Sequence, residues 1–253
     1  MLQIDLAGRV AVVTGGSGEL GRVISRTLAE CGATVAVQYF QGRQRAGTVV
    51  DQITAAGGRA IAVQADISDQ ASVMAMRDTV SAELGPAEII VNAAVRQYSW
   101  TSVLEQDLAD YESQFQTCTV HNVLMAKAFV PQMIARKWGR VIALNTECTM
   151  QCSPSQSAYI SGKAGQDRVL RVLAKEVGEH NITVNQVAPG WMISDRYRAE
   201  PADDAGYRQG VPMRRRGEDQ EIANAVAFLA SDLAGFISGV YLPVCGGNVM
   251  PGI

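Results

Sequence analysis

Val10-Ala11-Val12-Val13-Thr14-Gly15-Gly16-Ser17-Gly18-Glu19-Leu20-Gly21 runs from an apolar, β-branched strand into a glycine-rich turn, and 22–31 continues as a helical stretch. Glycine permits the tight turn and a close backbone approach, and the start of a helix offers free N–H groups to a pyrophosphate. Such a turn carries weight only in context, and here it follows the first strand and opens a helix, as a dinucleotide site requires. Outward from it, β-branched runs alternate with helical periodicity along the chain. Segments 9–14, 34–39, 60–65, 88–92, 140–145, 182–188 and 240–244 read as seven buried strands. Segments 20–31, 43–56, 69–84, 108–136, 155–179 and 218–230 read as helices. Crossovers of this length predict an α/β fold with a parallel, doubly wound sheet and right-handed connections. No linker divides residues 1–253, which read as a single domain. The long stretch 191–217, rich in Gly, Pro, Asp and Arg, reads as a lid.

Composition narrows the function classes. At 47% hydrophobic and 19% charged the chain is a globular one. A net charge of −3 argues against a nucleic-acid surface. Arg214-Arg215-Arg216 reads as a solvated loop. No apolar stretch approaches a membrane span, and the opening residues do not read as a signal peptide. Five cysteines (31, 118, 148, 152, 245) without a C-x-x-C pair fit free thiols in a cytoplasmic protein. Two distant histidines, 121 and 180, give no metal site, and His121 near Cys118 reads as packing.

The chemistry is concentrated in Tyr159-Ile160-Ser161-Gly162-Lys163, thirteen residues after Thr146. Positions i and i+4 share one helix face. A lysine ammonium there is expected to favour the phenolate of Tyr159 and lower its pKa from about 10, making it an acid or base near neutrality. Thr146, at the carboxyl end of a strand, offers a hydroxyl to a substrate oxygen.

These motifs, with Ala65-Asp66-Ile67-Ser68, Val91-Asn92-Ala93-Ala94, Asn185-Gln186-Val187-Ala188-Pro189-Gly190 and Val244-Cys245-Gly246-Gly247, resemble the short-chain dehydrogenase/reductase family over essentially the whole chain. The likeness is to members near the bacterial β-ketoacyl-carrier-protein reductases. It implies a Rossmann fold, a nicotinamide dinucleotide, and catalysis of carbonyl/secondary-alcohol exchange by Thr146, Tyr159 and Lys163. The implied nucleotide-binding residues are Gly15, Ser17, Gly18, Leu20, Gly21, Tyr39, Arg43, Asp66, Ile67, Asn92, Ala93, Ala94, Tyr159, Lys163, Pro189, Gly190 and Ser194. Asp66 stands where the family binds the adenine amino group, Asn92 where it steadies the central strand, and Ser194 where a Thr near the nicotinamide carboxamide is common. Three positions depart from the pattern. Glu19 replaces the middle glycine of TGxxxGxG and must turn outward, Ala93-Ala94-Val95 replaces the last three residues of NNAG, and Cys118 stands at the usual helical Asn. Asn122, one turn on, reads as a helix-interface residue.

No carboxylate ends the second strand at Tyr39, and Arg43 and Arg45 follow, so the reading favours NADP(H), with NAD the alternative. The substrate is read as a small or carrier-linked metabolite, met by 95–100, 147–153 and the lid. Gln97, Glu147, Gln151 and Trp191 supply the contacts, Trp191 by stacking or as a plug. The alternatives are non-redox acid/base chemistry on the same fold, motivated by Cys118 and Val95, or a catalytically silent nucleotide-binding regulator, motivated by Glu19. Helices 115–133 and 155–177 carry surplus apolar residues (Val120, Val123, Phe129, Val169, Val172, Leu173), which predicts a second subunit as their cover; the family resemblance implies a homotetramer, with a dimer as fallback.

Overall fold

The computed structural model describes residues 3–201 and 203–251. A seven-stranded sheet forms its centre: β1 (Val10–Thr14), β2 (Thr34–Tyr39), β3 (Ala60–Gln64), β4 (Ile89–Asn92), β5 (Gly139–Leu144), β6 (Ile182–Pro189) and β7 (Tyr241–Val244). Their order is β3-β2-β1-β4-β5-β6-β7, with parallel pairing throughout. The central strands are β-branched and fully buried because helices cover both faces, as parallel sheets require. On one face α1 (Gly21–Glu30), α2 (Arg43–Ala55) and α10 (Asp219–Ala230) pack through Val23, Ile24, Leu28, Ile53, Ile222 and Val226. On the other, α3 (Gln70–Glu83), α5 (His121–Arg136) and α7 (Ser157–Val177) pack through Val73, Met76, Met125, Phe129 and Leu170.

The expectation of seven buried strands fails at the two sheet edges, at β7, where only Tyr241 is buried, and at β3. Only Val63 of that strand is buried, because β3 is a sheet edge and pairs with β2 alone. The expected helix over 108–136 is interrupted. α4 (Leu108–Gln114) passes through a π-helical turn, Phe115–Val120, before α5 begins. A π-turn releases a backbone carbonyl from the helical ladder, and here the Cys118 carbonyl accepts from Asn122 Nδ2 at 2.5 Å.

α7 lies close against this turn, and its glycines set the distance. A Cβ at Gly162 would sit 2.7 Å from the Gln114 carbonyl, and one at Gly165 would sit 2.5 Å from Thr119 Oγ1. Thr119 Oγ1 donates to the Gly162 carbonyl at 2.9 Å across the contact. Between β6 and α10, residues 191–217 carry two short helices, α8 (Asp195–Ala199) and α9 (Ala205–Gly210). Arg214 and Arg215 are exposed, but the solvated-loop reading of this run fails at Arg216. Arg216 is buried, donates to the Trp191 and Met192 carbonyls, and stacks on Tyr197 and Trp191, so it fastens the segment down. Arg215 forks onto Glu221 at 2.7 and 2.6 Å. Among the described residues no helix is long and apolar enough to cross a membrane.

Candidate active site

The sheet order reverses at β1, where Thr14 faces Asn92 across the β1–β4 pair. Ligands of open α/β sheets bind at such a switch point. Thr14 Oγ1 accepts the N–H groups of Ala93 and Ala94 at 3.0 and 3.3 Å, which joins the two strand ends. The turn after β1 holds Gly15 at φ +61°, and a Cβ there would meet Ala94 Cα at 2.9 Å. Gly21 has no room for a Cβ beside the Gly15 carbonyl. α1 begins with no side-chain cap, so its first N–H groups are offered as an anion site. Ser17, Gly18 and Leu20 lie in this cradle. Gln38 braces it, accepting from Gly15 N at 2.8 Å and donating to the Ala65 carbonyl at 2.7 Å.

Glu19 does turn outward. It is exposed and accepts the N–H of Asp195 at 3.1 Å, linking the glycine turn to α8. Tyr39 is buried at the end of β2, and Arg43 is exposed at the start of α2. Asp66 Oδ1 holds both the N–H and the hydroxyl of Ser68, at 2.9 and 2.6 Å, beside buried Ile67. Asn92 donates to Asn122 at 2.7 Å, so Asn122 ties β4 to the π-turn, as its helix-interface reading expects. At the end of β6, the Pro189 carbonyl accepts from Glu147 N, Gly190 N donates to the Val244 carbonyl, and Ser194 precedes α8.

β5 delivers Thr146 and α7 delivers Tyr159 and Lys163 to the same edge. Thr146 stands on the Tyr159 side of the site, and its hydroxyl oxygen accepts Cys148 N at 3.2 Å. Lys163 is 4% exposed, and its Nζ lies 5.9 Å from the Tyr159 ring centre. The expected depression of the Tyr159 pKa is reversed. Burial pushes the phenol above its ordinary value, with the Cys118 and Cys148 thiols adding to the rise and Thr146 opposing it. The Lys163 ammonium is instead taken by the Leu144 carbonyl at 2.6 Å and Gln166 Oε1 at 3.1 Å, and burial lowers its own pKa. His121 is buried against the Thr117 carbonyl, and desolvation, with Lys163 nearby, pushes it down to about 3, so it is neutral.

A cavity of about 530 Å³ opens above Thr146 and Tyr159, bordered by Gln97, Glu147, Gln151 and Trp191. Glu147 borders the cavity and is also held from behind. Its Oε1 accepts from Tyr207 at 2.9 Å and its Oε2 from Asn248 at 2.9 Å, which clamps α9 and the segment after β7 to the site. Burial raises its pKa, while the Asn248, Tyr207 and Trp191 N–H hydrogen bonds pull it back. Gln97 and Gln151 are exposed at the rim.

A family model described as Enoyl-(Acyl carrier protein) reductase matches residues 17–248. The chain is 34% identical over 252 residues to the 3-oxoacyl-[acyl-carrier-protein] reductase FabG of Staphylococcus epidermidis, covering 95% of this chain and 98% of that one. The chain belongs to the short-chain dehydrogenase/reductase family. It is 30% identical over 248 residues to the 7alpha-hydroxysteroid dehydrogenase of Escherichia coli (strain K12), covering 97% and 96% of the two chains. Among solved structures, a 7 alpha-hydroxysteroid dehydrogenase complexed with NADH and 7-oxo glycochenodeoxycholic acid superposes with a TM-score of 0.91. It is 29% identical, with 98% of this chain and 97% of that one covered. This short-chain dehydrogenase/reductase is accordingly an oxidoreductase acting on a keto or hydroxyl group.

Sequence reading missed a set of buried amides behind the lysine. Gln166 Nε2 donates to the Leu144 carbonyl at 3.1 Å and approaches Gln186 Oε1 at 3.4 Å. Gln186 Oε1 also accepts from Asn145 at 2.7 Å, and its Nε2 donates to Asp167 at 2.8 Å. The signal was present, since Gln166 stands three residues after Lys163 on one helix face. A hydrogen bond to a charged group contributes about 1.5–3 kcal/mol, so an ammonium buried with one acceptor fewer is substantially less well held. Gln166→Leu is expected to lower kcat roughly tenfold, about 1.4 kcal/mol, and to displace the pH–rate profile. A variant with the wild-type kcat and profile would reduce Gln166 to packing.

Proposed function

We propose that this oxidoreductase interconverts a carbonyl and a secondary alcohol on a small or carrier-linked metabolite, using NADP(H) in preference to NAD(H), with Tyr159 carrying the proton. The observation behind the reading is the convergence of Thr146, Tyr159 and Lys163 at the sheet edge that the Gly15–Gly21 cradle also reaches. The chain serves as one dinucleotide-binding oxidoreductase domain over 1–253, with its lid at about 191–217. Free thiols at all five cysteines suit a cytoplasmic enzyme.

The residues fit a nicotinamide dinucleotide. Gly15, Ser17, Gly18, Leu20 and Gly21 would hold the pyrophosphate, and Tyr39 and Arg43 the adenosine ribose and its 2′-phosphate. Asp66 and Ile67 would hold the adenine, and Asn92, Ala93, Ala94, Pro189, Gly190, Ser194, Tyr159 and Lys163 the nicotinamide half. When bound, the reduced nucleotide supplies a hydride, so that carbonyl, hydride and one proton give the alcohol and the oxidised nucleotide. The chain's own residues supply the rest. Thr146 and Tyr159 hydrogen-bond the substrate oxygen as charge develops on it, which is the larger electrostatic contribution. Burial keeps the Tyr159 phenol protonated through neutral pH, which suits a proton donor for reduction. Lys163, fixed by Leu144 and Gln166, keeps a positive charge near the phenol and reaches toward the nucleotide ribose.

Assembly follows from the outer faces of the helices. Phe115 and Val172 are 51% and 56% exposed, and Val120, Val123, Val169 and Leu173 are half-buried. Phe129 belongs to the core rather than to this surplus. A homotetramer covers these apolar positions, with the dimer as the smaller alternative.

Three outcomes test the reading. Tyr159→Phe should lower reduction about 10²–10⁴-fold with nucleotide affinity preserved. Because an acid with a raised pKa stays protonated until that pH is reached, wild-type reduction should hold a plateau from neutral into alkaline pH. A near-wild-type rate in the variant, or a fall beginning near pH 7, would sink the proton-donor role. Tyr39→Asp places a carboxylate against a 2′-phosphate and should weaken NADPH while strengthening NADH. A wild type that already prefers NADH tenfold, about 1.4 kcal/mol, would reverse the cofactor assignment. Light scattering at micromolar concentration should report a tetramer or a dimer, and a 27.0 kDa particle would remove both.

A further inference from the structure

The walls of the catalytic cavity are built from rings. Aromatic residues make up 6% of the chain, yet Tyr98, Trp100, Tyr159, Trp191 and Tyr207 are five of the fifteen residues around this cavity. Two of the three tryptophans stand here, 49% and 44% exposed, although a large apolar side chain is ordinarily covered. Their surroundings fix them. Tyr98 OH accepts the Tyr159 N–H at 2.9 Å, and Trp100 lies nearly parallel to the Tyr159 ring, 21° apart with centres at 6.2 Å. Opposite α7, Tyr207 is held by Glu147 and by the Trp191 N–H, and Trp191 meets it edge-on at 5.4 Å. The Arg216 guanidinium covers Trp191 at 4.3 Å from its ring centre.

The chemistry between these rings is neutral. Among the described residues the one carboxylate on the wall, Glu147, accepts from Tyr207 and Asn248. Arg96 is a cation at the rim, and Gln151 and Gln156 present amides. Gln156 Oε1 is buried beside the cavity without a hydrogen-bond partner. Val95 is the single branched aliphatic residue on the wall, so a flexible acyl chain would find few methylene-sized partners. Flat faces prefer flat partners in offset or edge-on contact. A volume of about 530 Å³ lies within the range of cavities that enclose drug-sized molecules.

We propose that the preferred substrate is a planar, fused-ring ketone bearing ring hydroxyl groups, seated between Trp100 and Trp191 with its carbonyl on Thr146 and Tyr159. This rests on the ketoreductase reading, which supplies the hydride, and narrows it by substrate class. The carbonyl carbon gains the hydride, the carbonyl oxygen gains the Tyr159 proton, and the reduced nucleotide is oxidised. The ring system itself is unchanged.

The test compares three carbonyl probes with NADPH: 2-tetralone, a hydroxylated 1-tetralone, and the N-acetylcysteamine thioester of acetoacetate. Nucleotide oxidation gives turnover, and quenching of tryptophan fluorescence gives binding. A fused-ring ketone is expected to exceed the thioester at least tenfold in kcat/KM. Trp100→Leu and Trp191→Leu should each shift that ratio at least fivefold toward the thioester. A thioester tenfold better than both ring ketones, or two folded variants that leave the ratio unmoved, would overturn the substrate class while leaving the ketoreductase reading intact. Should no probe turn over, the ketoreductase reading fails, and quenching still decides the ring site. Saturable quenching by the ring ketones, weakened in both variants, sustains it, and no quenching removes it.

Discussion

The contact between the Lys163 ammonium and the Leu144 carbonyl is the constraint on which the catalytic edge depends. It pins α7 to the end of β5 at 2.6 Å, and so sets Tyr159, one turn earlier on the helix, against Thr146 just beyond the strand. A bare ammonium is costly to bury, and its pKa falls accordingly. The surroundings answer with neutral acceptors rather than a counter-ion. The Leu144 carbonyl and Gln166 take the charge, and Gln186 Oε1 accepts from both Gln166 and Asn145. α7 reaches this position because Gly162 and Gly165 let it close onto the π-turn. Within the π-turn, the Cys118 carbonyl accepts from the Asn122 side chain.

The second organising element is the clamp centred on Glu147. A buried carboxylate with both oxygens occupied joins the strand that carries Thr146 to α9 and to the segment after β7. Arg216 does the same from the other end of the lid through the carbonyls of Trp191 and Met192. Segment 191–217 is therefore held beside the cavity through polar contacts to backbone and carboxylate. Glu19 extends the same connection to the glycine-rich turn.

Several readings of the sequence were corrected, and those of Tyr159 and Arg216 failed for the same physical reason. Tyr159 was assigned a lowered pKa from its spacing to Lys163, but spacing says nothing about burial or about competing acceptors for the ammonium. Arg216 was placed in a solvated loop because three arginines in a row are usually exposed, whereas two ring faces and two carbonyls bury this one. Glu147 does border the cavity, but its partners, Tyr207 and Asn248, lie 60 and 101 residues away in the chain and were not legible in the sequence.

The sequence by itself determined the strands, most helices, the glycine cradle and the trio Thr146, Tyr159 and Lys163. These follow from local periodicity and from backbone conformations that only certain residues permit, and both are written in neighbouring positions. Tertiary structure alone decided the edge exposure of β3, the π-turn within 108–136, and the partners of Lys163 and Glu147. It also gathered Tyr98, Trp100, Trp191 and Tyr207 around one cavity. Burial and hydrogen-bond partnership depend on which distant segments meet, and that is fixed only when the sheet and its helices pack.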